Sequence, residues 1–188
     1  MRELALHVLD ILQNTVEAGA TRVTLTIHED SPADRLTITV MDNGRGMAAE
    51  TVARVTDPFY TTRTTRHVGL GLPLYAMAAE QAGGRLHITS EPGIGTTVRA
   101  EFQLSHPDRQ PLGDMPSTLL AFLLSKRAPG LRYAHHLSRG PVSDSSAVFE
   151  FDTADIRAEL GDVPFTHPAV VQWLAEFLEE GEDVFRTT

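Results

Sequence analysis

The residues that could do chemistry lie in three short stretches near the start of the chain. The stretch MDNGRGM, residues 41–47, places Asp42 before Gly44 and Gly46, two glycines separated by a single residue. Such glycines let a backbone approach a flat or charged ligand that side chains would block. Asn-Gly is also the strongest short signal for a hairpin turn. The stretch is therefore either the tip of a hairpin or a ligand site at the end of a strand.

The second stretch is the N-terminal segment, residues 3–18, whose apolar residues recur with the period of a helix. Because a helix turns about 100° per residue, a polar stripe forms on its opposite side, made of His7, Asp10, Asn14 and Glu17. Asp10 precedes Asn14 by one turn, so a carboxylate and an amide point the same way.

The third stretch is GLGL at 69–72, directly before an apolar helical pattern. Gly69 and Gly71 would open that helix, where unpaired amides and the helix dipole favour phosphate oxygens. The polar loop before it, YTTRTTRHVG, carries Arg63 and Arg66, which could close on a phosphate. A flexible, solvated loop is the alternative interpretation. For Arg66, the sequence supports this alternative nearly as well as a phosphate contact.

The patterning of the first 104 residues predicts the scaffold that positions these stretches. Alternating apolar residues predict two strands, the second of which leads into Asp42. They also predict a second hairpin, RLHITSE and TTVRAEFQL, which follows in the chain after a helix that ends at paired glycines. The residues after Met47 are helical in pattern, so the hairpin interpretation of MDNGRGM loses its support. We expect an α+β fold, a two-layer α/β sandwich with helices on one face of the sheet.

The stretch SHPDRQPLGDMP predicts a linker at 105–116, because it holds three prolines and no apolar period. It would separate a first domain, 1–104, from a small C-terminal α/β subdomain, 117–188. About 70 residues is marginal for an independent core, so we expect the subdomain to pack on the first domain. Its last helical segment has a broad apolar face, which either packs internally or binds a partner protein.

Composition narrows the classes of partner. Sixteen basic against 25 acidic side chains give a formal net charge of −9, which offers no basic field for nucleic acid or acidic lipid. No apolar run approaches the ~18 residues that a membrane span needs. The chain holds no cysteine, which excludes disulfides, thiolate zinc sites and iron–sulfur ligation by its own residues. We expect a cytoplasmic protein.

The stretches LDILQNTVEAGA, MDNGRGM, TDPFYTTR, GLGLPLYAMAAEQAGG and EPGIGTTVRAEF resemble, in this order, the ATP-binding domain of sensor histidine kinases. The chain is also similar to the wider GHKL group, which includes gyrase, the Hsp90 chaperone and MutL. The resemblance covers residues 4–104 and implies the Bergerat α/β sandwich, with ATP as ligand and Mg²⁺ as cofactor.

The resemblance assigns roles to particular residues. It implies that Asp42 recognises adenine. An ionised carboxylate would accept a hydrogen bond from the adenine amine but repel the guanine carbonyl. Gly46 would let the base approach, Thr97 would join the adenine hydrogen bonds, and Asn14 would bind magnesium as a neutral oxygen donor. Arg63 sits where related kinases carry a basic residue near the γ-phosphate. The remaining implied nucleotide-binding positions are Gly44, Met47, Phe59, Gly69, Leu70, Gly71 and Leu72.

The sequence leaves the fate of the phosphate open. At the position of Asp10, gyrase, Hsp90 and MutL carry a glutamate that orients or deprotonates the attacking water. Aspartate is one methylene shorter, so Asp10 acts either as this catalytic base or by binding magnesium through water. None of the eight histidines has a phosphoacceptor context in a helix, and no dimerisation helix fits before residue 3. We therefore do not expect a complete histidine kinase.

Two classes of function remain. One is an enzyme, either a slow ATPase using Asp10 or a kinase whose acceptor residue lies on a partner. The other is an ATP-dependent binding module that regulates or assembles a partner protein through residues 117–188. The ends RELALHVLDILQN and LGDVPFTHPAVVQWLAEFLEEG are similar to small stand-alone GHKL proteins encoded with NADH-linked iron hydrogenases, which suggests a redox complex as the partner.

Overall fold

The computed structural model describes residues 3–56, 71–140 and 146–186. The helices are α1 (Leu4–Glu17), α2 (Ala49–Val52), α3 (Gly71–Gln81), α4 (Met115–Leu123), α5 (Thr153–Leu160) and α6 (Pro168–Arg186). The strands are β1 (Arg22–Asp30), β2 (Arg35–Asp42), β3 (Arg85–Glu91), β4 (Gly95–Gln103), β5 (Gly130–Ser138) and β6 (Ala147–Asp152). The types and order of these elements agree with the sequence patterns.

The described strands form one six-stranded sheet in the order β3-β4-β2-β1-β5-β6. Neighbouring strands are antiparallel except β1 and β5, which run parallel from Arg22 opposite Gly130 to Asp30 opposite Ser138. A parallel pair needs a long crossover connection. Here the strands β2, β3 and β4 and the helices α2, α3 and α4 lie between the two strands in the chain. Strand β1 therefore lies inside the sheet, between β2 and β5.

One face of the sheet is covered by helices because the strands alternate apolar and polar residues. Val23, Leu25 and Ile27 of β1 are fully buried, while the residues between them are partly exposed. The core joins these strand residues to side chains of α1, α3, α4 and α6. The α+β class and the two-layer sandwich expected from the sequence are confirmed.

The C-terminal residues continue the same sheet and the same core. Strands β5 and β6 extend the sheet beyond β1, and Leu119 of α4 and Leu174 of α6 belong to the core cluster that contains α1. Within the stretch predicted as a linker, the carbonyls of Pro111 and Leu112 accept hydrogen bonds from the first amides of α1, those of Leu4 and Ala5 respectively. These bonds satisfy amides that a helix start leaves unpaired. The boundaries 1–104, 105–116 and 117–188 stay a prediction.

Candidate functional site

Asp42 lies at the end of β2, on the face of the sheet that the helices cover. Its Oδ1 accepts a hydrogen bond from the Gly44 amide at 2.7 Å, and the Thr96 amide donates to the same carboxylate. Burial raises the pKa of Asp42, while the two amide hydrogen bonds act in the opposite direction. The carboxylate is thus fixed in position and partly withdrawn from water.

Asn43 fastens the loop after β2 to the start of β1. Its Oδ1 accepts hydrogen bonds from the amides of Thr21 and Arg22, each at 2.9 Å, and its Nδ2 donates a hydrogen bond to the Thr21 hydroxyl. The Asn-Gly pair that suggested a hairpin is therefore an anchor between two strand ends. Sequence reasoning gave Asn43 no role, although asparagine side chains commonly bond nearby backbone groups in this way.

The same loop packs against the C-terminal end of α1. The Arg45 amide donates to the carbonyl of Ala18 at 3.0 Å. A Cβ atom at Gly44 would lie 2.8 Å from the Ala18 Cβ, which is closer than side-chain carbons approach. Since Asn14 lies one turn before Ala18, this contact brings the Asp42 strand end and the Asn14 end of α1 to the same part of the molecule.

The β3–β4 turn holds the other side of the loop. Gly46 has a φ of +64°, and a Cβ atom there would collide with the carbonyl of Glu91. The Gly93 amide donates to the Arg45 carbonyl at 2.8 Å, and the Met47 amide donates to Ser90 Oγ at 2.8 Å. A residue with a side chain at position 46 would have to push the turn away.

Ser90 connects this loop to Thr96. Its Oγ donates to the Gly95 carbonyl at 2.9 Å and lies 2.8 Å from Thr96 Oγ1. One hydroxyl therefore links the Met47 amide, the β4 backbone and the Thr96 side chain. Sequence reasoning missed Ser90, whose importance arises only from the pairing of β3 with β4.

The position of Thr97 requires a correction. In the pairing of β2 with β4, Asp42 lies opposite Thr96, whereas Thr97 lies opposite Met41, which is half exposed on the helix-free face. Thr97 thus points away from the Asp42 carboxylate, and we replace it by Thr96 in the proposed adenine site. The alternation of Thr96 with the buried Val98, Ala100 and Phe102 could have shown this from the sequence.

Asp10 lies against the first residue of α3. A Cβ atom at Gly71 would collide with Asp10 Oδ2, so only glycine fits there with Asp10 in its present position. One turn back along α1 and one turn forward along α3, the ring of His7 stacks on Tyr75 with centroids 5.0 Å apart. The polar stripe of α1 is therefore divided between the start of α3, which Asp10 meets, and the core, which buries His7 to 2% exposure.

The remaining predicted site residues fall into two groups. Leu72 packs on the core as part of α3. Phe59, Arg63, Arg66, Gly69 and Leu70 lie outside the described residues.

A cleft of about 520 Å³ opens at the Asp42 end of the sheet, and Asp42, Ser90 and Thr96 lie at its edge. The rest of its lining includes Thr24, Met41, Thr89 and Thr97, which belong to the helix-free face, whereas Asn14 and Asp10 of α1 are not part of it. We therefore do not assign this cleft to the nucleotide.

The donor set suits an adenine nucleotide with a magnesium ion. Asp42 is a fixed carboxylate acceptor, Asn14 is a neutral oxygen donor, and α3 begins at a glycine, Gly71, against which Asp10 lies. Among the described residues, no cluster of three or more histidine, cysteine or acidic side chains could hold a metal ion by itself.

The chain belongs to the family described as histidine kinase-, DNA gyrase B- and HSP90-like ATPases, whose model matches residues 2–106. The resemblance to the GHKL domain is therefore confirmed, and the chain holds an ATP-binding domain of the type found in sensor histidine kinases. Within the described ranges, no helix has both the length and the apolar character needed to cross a membrane.

Two curated proteins illustrate the similarity. The sensor protein kinase FleS of Pseudomonas aeruginosa is 40% identical over 90 residues, covering 47% of this chain and 22% of that protein. Sporulation kinase C of Bacillus subtilis is 32% identical over 96 residues, covering 51% of this chain and 22% of that protein. The chain spans about a fifth of the length of these relatives.

A solved structure, the N-terminal domain of a DNA repair protein, has a TM-score of 0.53 to this chain at 14% sequence identity. The match covers 79% of this chain and 52% of that one. It extends beyond the residues of the family model and shows a shared fold.

Proposed function

We propose that this chain binds Mg-ATP and acts as an ATP-dependent regulatory or assembly module for a partner protein. The observation that carries the proposal is the convergence of three elements on one end of the sheet. The end of β2 brings Asp42, the C-terminal half of α1 brings Asn14, and the first residue of α3 lies against Asp10. Each of these groups suits a different part of a nucleotide.

The roles of the residues follow from their chemistry. Asp42 accepts a hydrogen bond from the exocyclic amine of adenine, and the Thr96 hydroxyl lies beside it as a further donor or acceptor. Asn14 supplies a neutral oxygen to Mg²⁺, which when bound neutralises phosphate charge. The amides at the start of α3 favour phosphate oxygens, because they are not used within the helix.

A second candidate function is enzymatic, and the contact between Asp10 and Gly71 favours it. This contact places a carboxylate beside the helix start that we assign to the phosphates. Asp10 would take the proton of an attacking water in a slow ATPase, while the bond between the γ-phosphorus and ADP breaks. The same geometry would serve a kinase whose acceptor residue belongs to a partner protein.

The partner would contact residues 117–188. This part continues the sheet from β1, the strand next to β2 and Asp42, so a change at the nucleotide site has a short path to it. A redox complex is our proposed class of partner, on the basis of the similarity of the chain ends to proteins encoded with iron hydrogenases. Without cysteine the chain would regulate or assemble such a complex rather than carry its electrons.

The deciding experiment incubates the purified chain with γ-labelled ATP and magnesium, and measures both free phosphate and label retained on protein. Asp10→Asn is measured beside it, with Glu17→Gln as the matched control, since Glu17 is an exposed carboxylate on the same helix. Binding of ATP and GTP is measured on the same samples by calorimetry.

Each outcome is informative. Bound ATP without steady phosphate release supports the regulatory module. Phosphate release that Asp10→Asn abolishes and Glu17→Gln preserves replaces the regulatory module by the ATPase, and label retained on protein replaces it by the kinase. Absence of ATP binding, or equal affinity for ATP and GTP, contradicts the adenine site itself.

A further inference from the structure

A charged cluster is buried between the sheet and α6, away from the nucleotide site. His135 of β5 is fully buried, and its Nδ1 lies 3.0 Å from Oε2 of Glu182 on α6. Its Nε2 lies 3.0 Å from Oε1 of Glu29 on β1. The Tyr133 hydroxyl donates to the other oxygen of Glu182 at 2.6 Å. A single imidazole thus bridges two carboxylates from two different elements.

The geometry determines the number of protons at this cluster. A neutral imidazole has one N–H donor and one acceptor nitrogen, whereas an imidazolium has two donors. Both ring nitrogens of His135 face carboxylate oxygens at hydrogen-bond distance. With both glutamates ionised, a neutral ring would leave one nitrogen lone pair directed at a carboxylate. The arrangement is therefore satisfied only when the ring is doubly protonated.

The surroundings of the cluster strengthen this requirement. Glu182 is 3% exposed, and the ring of Phe185 stacks on the His135 ring at 3.7 Å. Burial by itself lowers the pKa of His135, but the hydrogen bonds and charges of Glu182 and Glu29 outweigh it, so the pKa is raised. Burial and the same two carboxylates raise the pKa of Tyr133, so its hydroxyl remains a donor.

We propose that His135 is a buried proton-binding site, which as an imidazolium fastens the last two turns of α6 to the sheet. Glu29 belongs to the strand beside β2, and Glu182 belongs to the helix that covers the C-terminal strands. The proton therefore controls how firmly the C-terminal helix docks on the ATP-binding half of the sheet. When the proton leaves, the buried carboxylate of Glu182 and the partly buried carboxylate of Glu29 face each other without a cation, and the helix end is released.

The direction of the pH dependence follows from the raised pKa. Below the ordinary histidine pKa of about 6.5, the docked and released forms both hold the proton and docking is strongest. Between about pH 6.5 and the raised pKa of His135, only the docked form holds the proton. The equilibrium constant for release of the helix end therefore grows up to about tenfold per pH unit. Docking is thus lost as pH rises through the pKa of His135, and acidification restores it.

Two measurements on the full chain test the proposal. In NMR spectra of histidine-labelled protein, we expect the His135 ring to carry protons on both nitrogens at pH 7 and to lose one at higher pH. Hydrogen exchange, corrected for its intrinsic rate, should show residues 179–186 opening more as pH rises from 6 to 9, while α3 keeps its protection. A neutral His135 ring at pH 7 with α6 still docked would overturn the proposal.

Variants separate this role from simple packing. Glu182→Gln removes one carboxylate but keeps the shape of the side chain, so it should lower the pKa of His135 and shift the exchange profile to lower pH. Glu29→Gln should act in the same direction if Glu182→Gln does not fold. His136→Gln is the matched control, because His136 lies next along β5 and faces the other side of the sheet. An unchanged exchange profile in both glutamate variants would also contradict the proposal.

Discussion

Asp42 and Thr96 face each other across β2 and β4, and the Thr96 amide is hydrogen-bonded to the Asp42 carboxylate. The pair is further held by Ser90, whose hydroxyl lies 2.8 Å from that of Thr96. This arrangement gives a carboxylate acceptor and a hydroxyl side by side at the covered end of the sheet. The predictions for nucleotide recognition rest on it.

Replacing Asp42 by asparagine should remove most of the affinity for ATP. A hydrogen bond to a charged group contributes roughly 1.5–3 kcal/mol, so we expect about a 10- to 100-fold loss. Calorimetric titration with Mg-ATP measures it, with Asp108→Asn as the control at an exposed position. Because burial raises the pKa of Asp42, the affinity of the unmodified chain should begin to fall on acidification above the ordinary aspartate pKa of 3.8. Retained affinity in Asp42→Asn would exclude this carboxylate as the adenine acceptor.

The variants Thr96→Val and Thr97→Val form a matched pair on one strand. Thr96→Val removes the hydroxyl beside Asp42 and should weaken ATP binding about fivefold, the equivalent of one hydrogen bond of about 1 kcal/mol. Thr97→Val alters the helix-free face and should leave the affinity within about twofold. Fluorescence titration with an ATP analogue distinguishes them. The opposite order would restore Thr97 to the adenine site.

Gly71→Ala should disturb the phosphate end of the site, because the new Cβ would collide with the Asp10 carboxylate. We expect weaker ATP binding and lower phosphate release, if any is present, with roughly 1–3 kcal/mol of lost stability from overpacking. Gly130→Ala is the control, since a Cβ there would meet its nearest neighbour at 3.6 Å, an ordinary contact. Equal ATP affinity in Gly71→Ala and the unmodified chain would show that α3 tolerates a shift at its first residue.

His7→Phe should stabilise the fold in mildly acidic solution. His7 is buried on Tyr75, and neither ring nitrogen has a partner at hydrogen-bond distance among the described residues. Burial lowers the pKa of His7 and outweighs the side chain of Gln110, which acts in the opposite direction. Below the ordinary pKa of about 6.5 the unfolded chain binds a proton that the native ring does not, so stability falls with falling pH. Phenylalanine keeps the stack and removes this dependence.

Urea unfolding of His7→Phe at pH 7 and pH 5 measures the effect. The gain in free energy of unfolding over the unmodified chain should be larger at pH 5. His87→Phe, at an exposed position on β3, should show no such gain. A gain that is the same at both pH values would mean that His7 contributes through packing alone. The sign is opposite to that expected for His135, whose contribution is lost on the alkaline side.

Helix and strand periodicity are local properties of the chain, so the elements and the class of fold could be predicted from the sequence. The alternation in RLTITV and the apolar stripe of residues 3–18 predicted β2 and α1 within a residue or two of their observed bounds. The motifs around Asp42 and Gly71, through their resemblance to a known family, identified the domain and its nucleotide.

Which side chains meet could not be predicted in this way, because it depends on how distant elements pair and pack. The parallel pairing of β1 with β5 joins residues about a hundred positions apart, and no local pattern encodes such a partner. The bridge from Glu29 through His135 to Glu182 follows from that pairing and from the docking of α6. The alternation along β4 puts Thr96 and Thr97 on opposite faces of the sheet, but only the register of β2 on β4 sets Thr96 across from Asp42.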